Sequence, residues 1–197
     1  MNLWRQIQRW FKRRSQGVND PFMAEPLPQR PKHPLVSIED LAVLWQWIRT
    51  EAASPQKEYQ EGAPLFVLQG TTVSGFLLTA GETINAPFLV SLFEWLRRHL
   101  PSIGYQQAHA DRRHYHEGEW LRTIERLAFR PNVMAQVRAG TFPLDQRYGP
   151  ITVELTYLNN IPHQLRLTVK PLHDRRYRPA RPFESFVAAL ANVHPAS

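Results

Sequence analysis

The 197-residue chain contains 43% hydrophobic and 11% aromatic residues, enough to bury a core within one domain. It has no cysteine, which excludes disulfide bonds, thiolate metal sites and cysteine nucleophiles. No apolar stretch approaches the roughly 18 residues that a membrane-spanning helix needs, and the N-terminus alternates Trp and Arg where a secretory signal is unbroken and apolar. We therefore expect a cytoplasmic protein and leave open a peripheral attachment to a membrane.

The formal net charge of +7 is concentrated at the two ends of the chain. Residues 1–34 carry an excess of five positive charges and residues 163–197 an excess of four, whereas residues 35–162 carry a net charge of −2. A protein that coats nucleic acid with its whole surface would spread its cations more evenly. The charge pattern therefore directs attention to the ends.

Residues 1–15 predict a basic amphipathic helix. Five apolar side chains fall on one face at about 100° per residue, namely Leu3, Trp4, Ile7, Trp10 and Phe11. Most cations occupy the rest of the helix, namely Arg5, Arg9, Lys12 and Arg13. This pattern is typical of a helix lying on an anionic membrane surface, and equally of one bound in the groove of a protein partner. Two alternatives remain, an organelle transit peptide and a helix that folds back onto its own domain.

Residues 16–34 contain five prolines and predict an extended, semi-rigid linker to a globular domain at 35–197. The domain begins with a helix whose expected N-cap is Ser37 and which ends before Pro55. Residues 65–68 and 72–79 predict two strands of a hairpin. Residues 86–100 predict a second helix, with Pro87 in its first turn.

The second half of the domain is richer in strands. Residues 105–117 are polar and alternating, which fits a solvated strand or an ordered loop. Residues 119–130 fit either a helix or a strand, and the preceding Glu-Gly-Glu turn favours the strand. Residues 151–158 and 164–172 predict a hairpin joined by residues 159–162, and residues 182–191 predict a last helix. This order indicates an α+β fold with a mostly antiparallel sheet, helices packed on one face and a detached N-terminal amphipathic helix.

Two polar clusters in the domain are candidate sites. The first brings three histidines and two acids within nine residues, namely His109, Asp111, His114, His116 and Glu117. On a strand the alternation separates His109, Asp111 and Glu117 from the other two, no established zinc spacing occurs, and the adjacent arginines repel a cation. We therefore expect no metal and no cofactor there, and interpret the segment as a polar edge strand.

The second cluster places four arginines immediately before the last helix, namely Arg175, Arg176, Arg178 and Arg181. A helix N-terminus already presents positive partial charge, so cations at this place favour a bound anion. We predict an anion-binding segment.

The leading hypothesis is a non-enzymatic interaction module, recruited by its N-terminal helix to a protein partner or an anionic membrane surface. The alternative is a nucleic-acid-associated accessory factor that uses the basic N-terminal helix and the C-terminal Arg cluster. A hydrolase with a site near His109 and Glu117 is the third hypothesis. The pattern indicates no small-molecule substrate and no particular catalytic residue.

Overall fold

A computed structural model describes residues 31–53, 59–70, 73–132, 134, 148–171 and 182–193. Within these residues the chain is an α+β protein with one six-stranded antiparallel sheet, as predicted. The helices are α1 (Leu41–Ala53), α2 (Ala86–His99) and α3 (Pro182–Ala191). Short 3₁₀ turns at Ile38–Asp40 and Leu100–Ile103 precede α1 and follow α2.

The strands are β1 (Leu65–Gln69), β2 (Ser74–Thr79), β3 (Tyr105–Glu117), β4 (Trp120–Pro131), β5 (Tyr148–Leu158) and β6 (Ile161–Pro171). Their order across the sheet is β1-β2-β6-β5-β4-β3, and every neighbouring pair is antiparallel. The β5–β6 hairpin therefore inserts beside β2, and β3 forms an edge of the sheet.

The core lies against the face of the sheet that we call the inner face. Along β4, β5 and β6 alternate side chains are buried, because successive residues of a strand point to opposite faces. The inner-face residues of these strands that join the core are Leu127, Phe129, Ile151, Val153, Leu155, Leu165, Leu167 and Val169. Helical side chains complete the same cluster, among them Leu44, Trp45, Ile48, Phe88, Leu92, Trp95, Phe183 and Phe186. Burial of this apolar area is the main stabilising contribution to the fold.

The first helix begins where the sequence indicates. Ser37 occupies the N-cap position with an extended backbone, in a capping box with Asp40, and its hydroxyl donates to Glu39 at 3.1 Å. The Asp40 carboxylate accepts hydrogen bonds from the backbone N–H groups of Val36, at 2.8 Å, and Ser37, at 3.0 Å. These two bonds lower the pKa of Asp40 below its ordinary value.

The ambiguous segment at residues 119–130 forms strand β4. It pairs with β3 along its whole length and with β5 over residues 122–129. Gly118 has a φ of +65° in the turn between β3 and β4, a conformation that glycine adopts without the steric cost of a Cβ. The two segments that were ambiguous in sequence, residues 105–117 and 119–130, are thus strands of one long hairpin. Pairing with each other provides hydrogen-bond partners for their backbone groups.

The described part of the chain joins the core at Leu35. The Leu35 side chain is 1% exposed. The backbone N–H of Leu35 donates to the carbonyl of Thr83, and the backbone carbonyl of Leu35 accepts from the N–H of Asn85. The predicted helix at residues 1–15, most of the predicted linker and the arginines at 175, 176, 178 and 181 lie outside the described residues. Their domain boundaries and binding roles stay predictions.

Candidate functional site

The histidine-rich segment 109–117 lies on the edge strand β3, and its side chains divide between two faces. The register places His109, Asp111, Arg113 and Tyr115 on the face opposite the core, which we call the outer face, together with position 117. His114 and His116 alternate with them, on the side of the inner face. The five candidate residues do not converge, and among the described residues no group of three His, Asp or Glu side chains is placed to hold a metal ion.

On the inner side, β3, β4 and β5 bring a small polar network together beyond the apolar core. An Arg112 guanidinium nitrogen lies 3.2 Å from Glu125 Oε1, and the Tyr157 hydroxyl donates to Glu125 Oε2 at 3.1 Å. The Arg112 guanidinium carbon lies 5.9 Å from the centre of the Tyr157 ring. Burial and the negative charge of Glu125 raise the pKa of Tyr157 to about 12. The Tyr157 hydroxyl therefore stays protonated and donates its hydrogen bond at neutral pH. The network of Arg112, Glu125 and Tyr157 connects β3, β4 and β5.

A second inner-side pair follows along the same hairpin. His114 Nδ1 lies 2.9 Å from the hydroxyl of Thr123, which is fully buried although polar. This bond satisfies the buried hydroxyl, since a buried polar group without a partner destabilises the fold. His114 therefore has a structural contact on the inner side, separate from Asp111 on the outer face.

The outer face is organised in rows that run across β3, β4, β5 and β6. One row places Asp111, Arg126, Glu154 and Arg166 opposite one another in that order, with alternating charge. Arg126 Nε donates to Glu154 at 2.7 Å, and Arg113 Nε donates to Asp111 at 2.7 Å. Opposite charges in register across strands stabilise the sheet modestly and fix its alignment.

A second row lies at the hairpin end of the sheet, separated from the charged row by one intervening row. It places Tyr115, Arg122, Leu158 and Ile161 opposite one another. Trp120 lies two residues from Arg122 on the same face of β4. We call these five residues the hairpin-end patch. Tyr115 is 41% exposed, Trp120 59% and Ile161 64%. Single exposed apolar side chains are ordinary, but three large ones gathered on one face indicate a binding surface.

Two tight turns hold the patch in place. Asn159 and Asn160 have φ angles of 49° and 64°, the left-handed pair that joins two strands through a two-residue turn. The Asn159 N–H donates to the carbonyl of Leu121 at 2.8 Å, and its side-chain oxygen accepts from the N–H of Leu121 at 2.8 Å. The β5–β6 turn is therefore fastened to β4, which keeps Ile161 aligned with the β3–β4 hairpin.

The exposed part of the outer face extends over β3, β4, β5 and β6, and it reappears at the other edge of the sheet, where Leu68 on β1 is 40% exposed. Leu77 on β2 also points to this side, but only 9% of it is exposed. The candidate surface therefore consists of the charged row and the hairpin-end patch. The side chains Tyr115, Trp120, Arg122 and Ile161 were not among the candidate residues predicted from the sequence.

Comparison of this chain with protein-family models, curated proteins and solved structures found no match. Among the described helices, none combines the length and the apolar character needed to cross a membrane.

Proposed function

We propose that this protein is a non-enzymatic interaction module that contacts its binding partner through the outer face of the sheet. The observation that carries the proposal is the hairpin-end patch, in which exposed Tyr115 lies directly opposite Arg122, exposed Trp120 lies two residues from it, and exposed Ile161 ends the same row two strands away. Tyr, Trp and Arg are the residue types that contribute most at binding surfaces, because each combines a large contact area with a polar group. Paired strands present them, so little backbone freedom is lost on binding.

The predicted N-terminal helix adds the second half of the proposal, recruitment to an anionic membrane surface. Its apolar face, with Trp4 and Trp10, would enter the interfacial region while Arg5 and Arg9 contact lipid phosphates. The proline-rich segment before Leu35 would let the sheet domain remain accessible while the helix is bound. Recruitment to a protein complex is the alternative outcome. It would appear as binding of the helix to a protein partner in the absence of lipid.

Site-specific photo-cross-linking tests whether the outer face is a binding surface. A photoreactive phenylalanine analogue replaces Trp120 in the full chain, and in a control chain it replaces Val43, an exposed residue of α1. After irradiation in cells, we expect a discrete adduct from position 120 and none from position 43. No adduct at position 120, or the same adducts from both positions, contradicts the proposal.

A further inference from the structure

We propose that the ligand of the outer face is single-stranded nucleic acid. Its bases stack on the hairpin-end patch, and its phosphates contact the cations of the adjoining rows. This inference rests on the proposed binding role of the outer face. It differs from the sequence-based alternative, in which the two basic ends of the chain carry the binding.

The stacking surfaces are close enough for neighbouring bases. Tyr115 and Arg122 are directly opposite on β3 and β4, so their Cβ atoms lie about 5 Å apart. Trp120 follows on the same face of β4, about 7 Å along the strand from Arg122. An aromatic ring, a guanidinium plane and a second aromatic ring thus lie within about 12 Å. Exposed aromatic rings and arginines on a sheet are the platform on which unpaired bases stack.

The charge of the outer face is complementary to a phosphate backbone. The register assigns six cations to the outer face of β3, β4 and β6, namely Arg113, Arg122, Arg126, Arg130, Arg166 and Lys170. On the outer face of the same four-stranded part of the sheet it assigns three acids, at positions 111 and 117 of β3 and 154 of β5, which leaves an excess of three positive charges. The described residues from 35 onward have ten Lys and Arg against twelve acids, a net charge of −2. Because the outer face carries +3, the described residues outside it carry −5, so within the described part of the domain the positive charge is concentrated on this face.

The geometry favours an unpaired strand over a duplex. The stacking platform lies on β3 and β4 of an open sheet face, whereas duplex bases stack on each other and present only their edges in grooves. Stacking needs bases with an accessible face, which a single strand provides in any sequence. Binding should consequently depend on the aromatic rings and on salt, and only weakly on base sequence.

Fluorescence anisotropy of the full chain with a labelled oligo-dT of about 20 nucleotides tests the inference. We expect binding that is tighter than to a duplex of equal length. Tyr115→Ala and Trp120→Ala should each lower the affinity about tenfold, and Val43→Ala should leave it unchanged. Arg166→Gln, in the charged row, should reduce the slope of log affinity against log salt by about 0.7, the value for one phosphate contact with a single strand.

Three outcomes overturn the inference. The first is the absence of oligo-dT binding. The second is an equal affinity for oligo-dT of the original chain and of the double variant Tyr115→Ala, Trp120→Ala. The third is a loss of binding only when residues 1–34 are deleted. Thermal melting of each variant serves as the folding control, since Tyr115 and Trp120 are exposed and their removal leaves the core intact. If oligo-dT fails to bind while position 120 still gives a specific protein adduct, the nucleic-acid inference is wrong and the binding role of the outer face stands.

Discussion

Gly75 on β2 passes so close to Leu167 on β6 that a Cβ at position 75 would collide with the Leu167 carbonyl oxygen. The same Cβ would lie 3.0 Å from the Cα of Thr168, the residue paired with Gly75. Both obstacles are backbone atoms, so a side chain cannot rotate away to make room. The junction at which β6 inserts beside β2 therefore depends on glycine at this position.

Gly75→Ala is expected to lower the free energy of unfolding by about 1–3 kcal/mol, because β2 and β6 must separate to admit the methyl group. Gly81→Ala is the matched control, since a Cβ there meets nothing within 4 Å. It should change the free energy of unfolding by less than about 0.5 kcal/mol. Urea denaturation of the three chains measures the difference, and equal stability of both variants would contradict the close approach.

Asp40→Ala is expected to lower the free energy of unfolding by about 0.5–2 kcal/mol, because the N–H groups of Val36 and Ser37 lose their acceptor. The pKa of Asp40 is lowered in the folded state, so its contribution is present above the ordinary value of 3.8 and is lost as pH falls through the lowered pKa. Denaturation at neutral pH and at about pH 2 should show the difference between variant and original chain shrinking in acid. Glu39→Gln, next to Asp40, is the control.

Tyr157 is expected to ionise at a pKa of about 12, and Glu125→Gln should lower this pKa in part, because burial still raises it when the Glu125 charge is removed. The folded-state pKa is raised, so the stabilising contribution is present below the ordinary value of 10.0 and is lost as pH rises towards 12. Ultraviolet titration of tyrosinate, with Tyr157→Phe subtracted, isolates this one group. A pKa near 10 in the original chain would contradict the burial of the hydroxyl, and an unchanged pKa in Glu125→Gln would contradict its contact with Glu125.

The N-terminal helix is expected to bind acidic vesicles through burial and charge together. Each cation near an anionic leaflet contributes about 1 kcal/mol, and full burial of a large apolar side chain contributes about 1.5–3 kcal/mol. The ordering of the backbone opposes these gains at about 1–2 kcal/mol per residue, partly offset by the helical hydrogen bonds. Replacing Trp4 and Trp10 with alanine should therefore abolish co-sedimentation with vesicles, whereas added salt should only weaken it. Binding that survives the double replacement contradicts this account.

The periodic elements were predictable because local patterns determine them. The helix at residues 86–99 has apolar side chains at helical spacing and a proline in its first turn, and the structure confirms it. The segment at 119–130 was ambiguous, since its apolar residues fit both periods, and only pairing with β3 and β5 decides for a strand. At the β5–β6 turn the structure has two turn residues instead of the predicted four, because Ile161 and Pro162 pair with Leu158 and Tyr157.

The hairpin-end patch was not predictable because it depends on relationships across the sheet. Tyr115 and Arg122 come together only if residues 117 and 120 flank the turn, a register that the ambiguous assignment of β4 did not supply. Ile161 joins them through the strand order, which places β6 beside β5 and β5 beside β4. The sequence predicted Ser37 as the N-cap, and the structure adds that Asp40, three residues later, accepts from the Ser37 N–H as its partner in a capping box.

Fluorine NMR of the full chain labelled with 5-fluorotryptophan tests the central claim about the outer face most directly. The chain has six tryptophans, and of the four that the structure describes Trp120 is 59% exposed while Trp45, Trp47 and Trp95 are at most 5% exposed. Trp120→Phe assigns the resonance of Trp120. Adding oligo-dT should shift or broaden that resonance and leave those of the three buried tryptophans in place. An unmoved Trp120 resonance at saturating oligo-dT, or changes confined to Trp4 and Trp10, would contradict binding at the outer face.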